Sequence, residues 1–219
     1  MKAVNILFSF VILAQIYGCN QAQVDNELQK TKDVFKREYS IDIHTHFPNN
    51  VINDHIVNAN FNRPDSFSYY GSSFITLKMQ EADINEITKR KFVYKSNLNN
   101  DLLFIISSSL VKDCEKIDTA KSYENAFPIA NIYSVDFNLG ETPDSVYIPE
   151  GNKFYPIEKY VVPDDMEIYI ISFSSGNYWI NKHYNQQRCS FIGKYRNGYS
   201  YGYAISKKYS YVTYWAVAW

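Results

Sequence analysis

Asp42, His44 and His46 are each separated by a single residue in the segment SIDIHTHFPNN, residues 40–50. If this segment is a strand, alternate side chains point to the same face, so a carboxylate and two imidazoles would meet there. Oxygen and nitrogen ligands of this kind suit zinc and related transition metals. A metal held in this way can activate water for hydrolysis. The motif therefore raises the hypothesis of a metal site made of these three residues.

The segment IDIHTHFP resembles the first-strand His-x-His motif of the amidohydrolase superfamily and of PHP-type phosphoesterases. That resemblance implies a metal-dependent hydrolase in which His44 and His46 hold the metal. It covers eight residues only, and those families place the motif in an α/β barrel of about 250 residues. No alternation of strands and helices is visible in this chain. The sequence therefore favours a strand or loop with two histidines and no metal, and keeps the hydrolase as the alternative.

Other motifs of chemistry are missing from the sequence. It has no Gly-x-Ser-x-Gly, no phosphate-binding glycine-rich loop, no Gly-x-Gly-x-x-Gly and no Cys-x-x-Cys. Its 22 basic and 23 acidic residues nearly cancel, and no basic patch is present, which argues against a nucleic-acid partner. We therefore predict no catalytic residue and no cofactor.

The first 19 residues, MKAVNILFSFVILAQIYGC, have the pattern of a signal peptide: a lysine at position 2, an apolar run and a small residue before Cys19. The run is shorter than the ~20 apolar residues that a membrane-spanning helix needs. The segment Ile16-Tyr17-Gly18-Cys19 resembles the lipobox of bacterial lipoproteins. That resemblance implies cleavage after residue 18 and acylation of Cys19, with palmitate-type chains as the membrane anchor.

A lipid anchor at Cys19 would place the protein in the cell envelope, because several acyl chains bind a bilayer almost permanently. By resemblance to lipoprotein sorting, Asn20 favours the outer membrane, on its periplasmic or its outer side. Residues 19–24 then form the lipidated tether, and residues 25–219 a single domain. The sequence as a whole also resembles uncharacterised Bacteroidetes-type lipoproteins.

Two cysteines remain if Cys19 is acylated. Cys114 and Cys189 are able to form a disulfide in an oxidising compartment, or to stay as buried thiols. Sequence alone does not distinguish the two, since bridging depends on the distance between their Cα atoms.

Periodicity predicts short helices and several strands. Helical spacing predicts a helix over 25–38, a short one capped by Asp83, and a third over 114–127 that Pro128 ends. Alternation predicts strands at 66–80 and 91–96, and the apolar run at 102–110 predicts a central strand. Residues 40–64 lack either period and are predicted to be irregular chain with brief elements, and residues 140–163 are predicted to be an extended segment. The run MEIYIISFSS predicts a further buried strand.

The clearest pattern is a C-terminal hairpin, in which GYSYGYAIS and YSYVTYWAVAW flank Lys207-Lys208. Small residues would oppose large ones on one face, and aromatic residues would pair on the other. A turn centred on the two lysines gives the pairs Gly202 with Thr213, Ala204 with Tyr211, Ser200 with Trp215 and Tyr201 with Tyr214.

Together these patterns predict a single α+β domain, mainly antiparallel sheet, with a C-terminal β-hairpin and a few short helices. The chain contains 20 Tyr, 14 Phe and 3 Trp, and tyrosine suits both half-buried sheets and binding faces. The function we predict is a lipid-anchored envelope protein that acts as a binding or scaffold module. Its partner would be a glycan, a peptide or another envelope protein.

Overall fold

The computed structural model of the chain describes residues 22–49, 55–64, 70–106, 125–137, 139, 144–150, 153–180 and 197–219. Its two α-helices are α1 (22–38) and α2 (Glu81–Thr88). Its strands are β1 (Ile56–Asn62), β2 (Gly71–Lys78), β3 (Tyr94–Asn97), β4 (Leu103–Ile106), β5 (Phe127–Ala130), β6 (Asp144–Glu150), β7 (Lys153–Lys159), β8 (Glu167–Ser175), β9 (Gly198–Ser206) and β10 (Tyr211–Ala218).

A six-stranded antiparallel sheet dominates the fold, in the order β1-β2-β10-β9-β8-β3. Two smaller sheets accompany it: the parallel pair β4-β5 and the antiparallel hairpin β6-β7. This architecture confirms the predicted α+β class with mainly antiparallel sheet and a C-terminal hairpin. Alternating apolar and small residues build it, because successive side chains of a strand point to opposite faces.

The large sheet has a hydrophobic core on each face. The first core joins residues such as Phe74, Trp215 and Val217 of the sheet to β4, β5 and the short 3-10 helix Ile132–Ser134. The second core joins the opposite face to the two helices and to the turn at residues 43–47. Both faces of the central strands are therefore covered, which explains why β10 is apolar along nearly its whole length.

Helix α1 packs on the second core through Leu28 and Phe35, which are 3% and 1% exposed. The helix predicted over 25–38 is confirmed, and residues 22–24, the first that the structure describes, are helical as well. Just after the helix, Tyr39 is buried and its hydroxyl donates to the carbonyl oxygen of Gly198 at 2.7 Å. This bond ties the end of α1 to the first residue of β9.

The C-terminal hairpin forms, but its register differs by two residues from the predicted one. Its loop is Lys207–Ser210, centred one residue later than expected, and Ser210 has a positive φ of 58°. The rule of small against large still holds, since Trp215 pairs with Gly202, and Tyr214 pairs with Tyr203 on the other face. The other pairs include Tyr211 with Ser206, Thr213 with Ala204, Ala216 with Tyr201 and Val217 with Ser200.

Four other predictions need correction. The run from 102 contains β4, which pairs with β5 outside the large sheet, so it is not a central strand there. Pro128 lies within β5, so the helix predicted over 114–127 does not include residues 125–127. Asp83 lies inside the first turn of α2, whose N-cap is Gln80. Residues 40–64, expected to be irregular with only brief elements, contain the seven-residue strand β1.

Candidate functional site

The segment around Asp42 is a turn, so the two histidines do not alternate on a strand. The carboxylate oxygen Oδ1 of Asp42 accepts a hydrogen bond from the backbone N–H of His44 at 2.9 Å. The backbone N–H of Phe47 donates to the carbonyl oxygen of His44 at 3.0 Å. This is the Asx-type turn chemistry that aspartate favours. Asp42 therefore shapes the backbone here.

His44 is buried against the sheet, with 1% of its surface exposed. Its Nε2 atom lies 2.9 Å from the hydroxyl oxygen of Ser73, and its ring packs on Phe35 and Phe47 with centroid distances of 4.8 and 5.1 Å. Burial lowers the pKa of His44 to about 3, and the charge of Lys32 acts in the same direction. His44 is therefore neutral at pH 7.

The side chain of His46 contacts both strands of the C-terminal hairpin. Its Nε2 lies 3.1 Å from the carbonyl oxygens of both Gly202 and Trp215, which face each other across β9 and β10. Because carbonyls only accept, Nε2 carries the hydrogen and Nδ1 holds the lone pair. The ring stacks on Tyr201 at a centroid distance of 5.0 Å. Burial lowers the pKa of His46 to about 3, the nearby His44 adding to this effect.

The predicted ligand set of Asp42, His44 and His46 shares one turn, but each residue has a different partner. Asp42 binds a backbone amide, His44 binds Ser73, and His46 binds two carbonyls. Within the described residues no group of three or more His, Cys, Asp or Glu is placed to hold a metal ion. The Nδ1 atoms of both histidines are buried without a hydrogen-bond partner. In this geometry the histidines fasten the turn to the sheet.

The tyrosines of the hairpin are mostly part of the two cores. Tyr203 and Tyr214 are 0% and 7% exposed. Tyr199 and Tyr201 are half-buried, stack on each other at 6.1 Å, and pack against the second core. The partly exposed rings of Tyr199 and Tyr201 therefore lie at the margin of the second core.

An open groove of about 290 Å³ lies at the end of β3, and sequence reasoning did not identify it. We call it the Asn–Tyr groove. Its floor contains the buried side chains of Leu98 and Met166. Two backbone hydrogen bonds fix its walls: Leu98 N–H to the carbonyl of Met166 at 3.0 Å, and Tyr160 N–H to the carbonyl of Tyr133 at 3.1 Å. Its other lining residues are Asn97, Asn99, Val161, Val162, Pro163 and Asp164.

The chemistry of the Asn–Tyr groove is polar but close to neutral. Tyr133 and Tyr160 are half-buried, whereas Asn97 and Asn99 are exposed. The one carboxylate, on Asp164, forms an ion pair with Lys208 at 3.0 Å, and this hydrogen bond lowers the pKa of Asp164. Apart from that paired charge, the groove offers aromatic rings and amide groups to a ligand.

No family model matches this chain, and neither a curated protein nor a solved structure matches it. In the described part of the chain, no helix is long and apolar enough to cross a membrane. The lipobox with Cys19, and the pair Cys114 and Cys189, lie outside the described residues. Acylation and the disulfide therefore stay predictions of the sequence.

Proposed function

We propose that this chain is a lipid-anchored cell-envelope protein, attached through Cys19, whose folded body binds a neutral glycan in the Asn–Tyr groove. The observation that carries the proposal is the lining of the groove by two half-buried tyrosines beside two exposed asparagines. A binding module needs a concave site with apolar walls and a few well-placed polar groups. The Asn–Tyr groove supplies both.

The tyrosine rings and asparagine amides of the groove match the apolar C–H groups and the polar hydroxyls of a sugar ring. Tyrosine rings present an apolar face to the C–H groups of a sugar, and the phenol adds a polar edge. Asparagine amides both donate and accept, as sugar hydroxyls require. Among the described residues, the side-chain amides of Asn97 and Asn99 make no hydrogen bond, so both are available to a ligand.

The electrostatics favour a neutral ligand over a charged one. Lys208 already pairs with Asp164 at the rim, and both side chains are largely exposed. An exposed pair of this kind contributes little to stability, and it leaves no net charge to attract an ion. A neutral oligosaccharide of the envelope is the ligand class that this lining fits.

The anchor would hold the domain close to the bilayer. Residue 22, the first described residue, is helical and lies three residues after Cys19. Three residues of fully extended chain reach at most about 11 Å. Residue 22 would therefore lie next to the lipid headgroups, and a ligand of the groove would be a component of the envelope surface.

Two experiments test the anchor and the ligand separately. With a clickable palmitate analogue, wild-type chain expressed in a lipoprotein-processing bacterium should be labelled and membrane-bound, and Cys19→Ser should lose both properties. Label that persists in Cys19→Ser would contradict acylation at this residue.

For the ligand, the acylated full chain in detergent is applied to an array of neutral oligosaccharides. We expect the double variant Asn97→Ala with Asn99→Ala to bind at least tenfold more weakly than wild type. Asn60→Ala is the matched control, because Asn60 is an exposed asparagine of β1 outside the groove. Absence of binding to every neutral glycan, or equal binding by the double variant, would refute the proposal.

The alternative, a metal-dependent hydrolase using His44 and His46, predicts a bound metal. Elemental analysis of the full chain, purified without chelator or histidine tag, tests it. Near-stoichiometric metal that disappears in the double variant His44→Gln with His46→Gln would favour the hydrolase. Unchanged low metal content in both proteins would favour the binding module.

A further inference from the structure

A second cavity, of about 230 Å³, lies on the opposite face of the large sheet from the Asn–Tyr groove. It is bounded by the end of β2, the start of α2 and the residues Pro48 and His55. Its apolar walls include Leu77 and Tyr214, which belong to the second core, whereas Leu98 and Met166 of the groove belong to the first. The two sites are therefore separated by the sheet.

Opposite charges line this cavity without neutralising each other. Lys78, at the end of β2, and Asp83, in the first turn of α2, are both exposed and both border it. Among the described residues neither side chain takes part in an ion pair or a hydrogen bond. An ammonium group and a carboxylate thus stand at one cavity, each free to bind a group of the opposite charge.

A third polar group, the hydroxyl of Tyr214, completes the lining. Tyr214 is 7% exposed, and its only hydrogen bond in the described part of the chain is a long one of 4.0 Å to the sulfur of Met79. Burial raises the pKa of Tyr214 to about 12, and the nearby carboxylate of Asp83 acts in the same direction. At neutral pH the phenol is therefore protonated and able to donate to a ligand.

We infer that this cavity binds a small zwitterion, an α-amino acid with an apolar side chain. Asp83 would bind its ammonium group, Lys78 its carboxylate, and the walls formed by Leu77, Met79 and Pro48 its side chain. The volume is below the ~300 Å³ at which pockets for drug-sized ligands begin, which suits a ligand of this size. A ligand with only a positive charge would be repelled by Lys78, and a ligand with only a negative charge would be repelled by Asp83. The two charges of the cavity therefore favour a zwitterion.

The test is calorimetric titration of the full chain in detergent with L-leucine, L-methionine and L-phenylalanine. At least one should bind saturably. For that amino acid, the N-acetyl derivative and the methyl ester should each bind at least tenfold more weakly, because each lacks one charge. Absence of saturable binding by all three, or equal binding of both derivatives, would overturn the inference.

Variants at exposed positions locate the site without disturbing the cores. Lys78→Gln and Asp83→Asn should each weaken binding at least tenfold. The matched controls are Lys91→Gln and Glu81→Gln, which change exposed residues of the same charge outside the cavity. Binding that survives both cavity variants would place the amino acid elsewhere and refute the site. Glycan binding through Asn97 and Asn99 is measured separately, so failure of one proposal leaves the other standing.

Discussion

Acidification should destabilise this protein through the two buried histidines that fasten the 42–47 turn to the sheet. In the folded chain the pKa values of His44 and His46 are about 3, against an ordinary value of 6.5. Between those values the unfolded chain binds protons that the folded chain does not. The stability contributed by the neutral histidines is therefore complete above pH 6.5 and is lost as the pH falls toward 3.

The magnitude follows from these values. For one histidine, the free energy of unfolding falls by about 1.4 kcal/mol per pH unit well inside the window. Between pH 7 and pH 5 the loss is about 2 kcal/mol per histidine, or about 4 kcal/mol for both. Since domains are stable by only about 5–15 kcal/mol, this change is large.

The assay is urea unfolding at pH 7, 6 and 5, followed by tryptophan fluorescence, which the buried Trp215 and Trp219 report. The double variant His44→Gln with His46→Gln keeps amide donors in place of the rings and has no group to titrate there. Its free energy of unfolding should change by about 4 kcal/mol less than that of wild type over this range. Thr45→Ala, at an exposed position of the same turn, is the control and should keep the wild-type pH dependence.

The reasoning would be refuted if the double variant and wild type lost equal stability on acidification. It would also be refuted if NMR titration showed either ring to take up a proton near pH 6.5 in the folded protein. The same spectra test the tautomer, because the two carbonyl partners of His46 require its hydrogen on Nε2.

Four further substitutions should distinguish positions where the fold is intolerant of change from one where it is tolerant, each measured by urea unfolding at pH 7. Gly202→Ala places a methyl group against the carbonyl oxygen of Tyr169 on β8, so we expect loss of folding or destabilisation by at least about 3 kcal/mol. Trp219→Ala removes a side chain that is 1% exposed and should cost about 3–5 kcal/mol. Asp165→Ala removes both hydrogen bonds of its carboxylate to the end of the β9-β10 hairpin and should cost about 1–3 kcal/mol. Asp164→Ala breaks an exposed ion pair and should change stability less than Asp165→Ala does.

The elements with strong local periodicity could be predicted from the sequence. Helix α1 and the strands of the C-terminal hairpin show their apolar spacing over many residues, and both formed as expected. The predicted register of the hairpin was wrong because the register depends on the loop. In that loop Ser210 takes a positive φ that the sequence does not indicate. A shift of two residues keeps every side chain on its face, so the alternation could not detect the error.

The predictions for β4 and for the turn that contains His44 and His46 were wrong for a different reason. An apolar run such as LLFIISSSL shows that a segment is buried but not which strand it pairs with, and β4 pairs with β5 in a separate sheet. His44 and His46 have strand-like spacing, whereas the bond from Asp42 to the backbone of His44 makes a turn. Local hydrogen bonding here outweighs the two-residue period.

Both candidate sites are assembled from distant parts of the chain. The Asn–Tyr groove takes Asn97 and Asn99 from the end of β3, and Tyr133 and Tyr160 from two later segments. No motif joins these residues, because their proximity is created by the sheet order and by backbone bonds between separate segments. The second cavity likewise takes Pro48, His55 and Tyr214 from segments other than the one that carries Lys78 and Asp83.

The position of β10 in the large sheet sets the order in which this protein can fold. β10 lies between β2 and β9, and the bond between Thr76 and Thr213 joins residues 137 positions apart. Until the ribosome has made residues 211–218, β2 has no inner neighbour, and neither core can close. Pairing over such separations is slow, because loop closure comes before any gain from contacts. The growing chain would therefore expose one edge of β2 for most of its synthesis, and such an edge is prone to aggregation until β10 covers it.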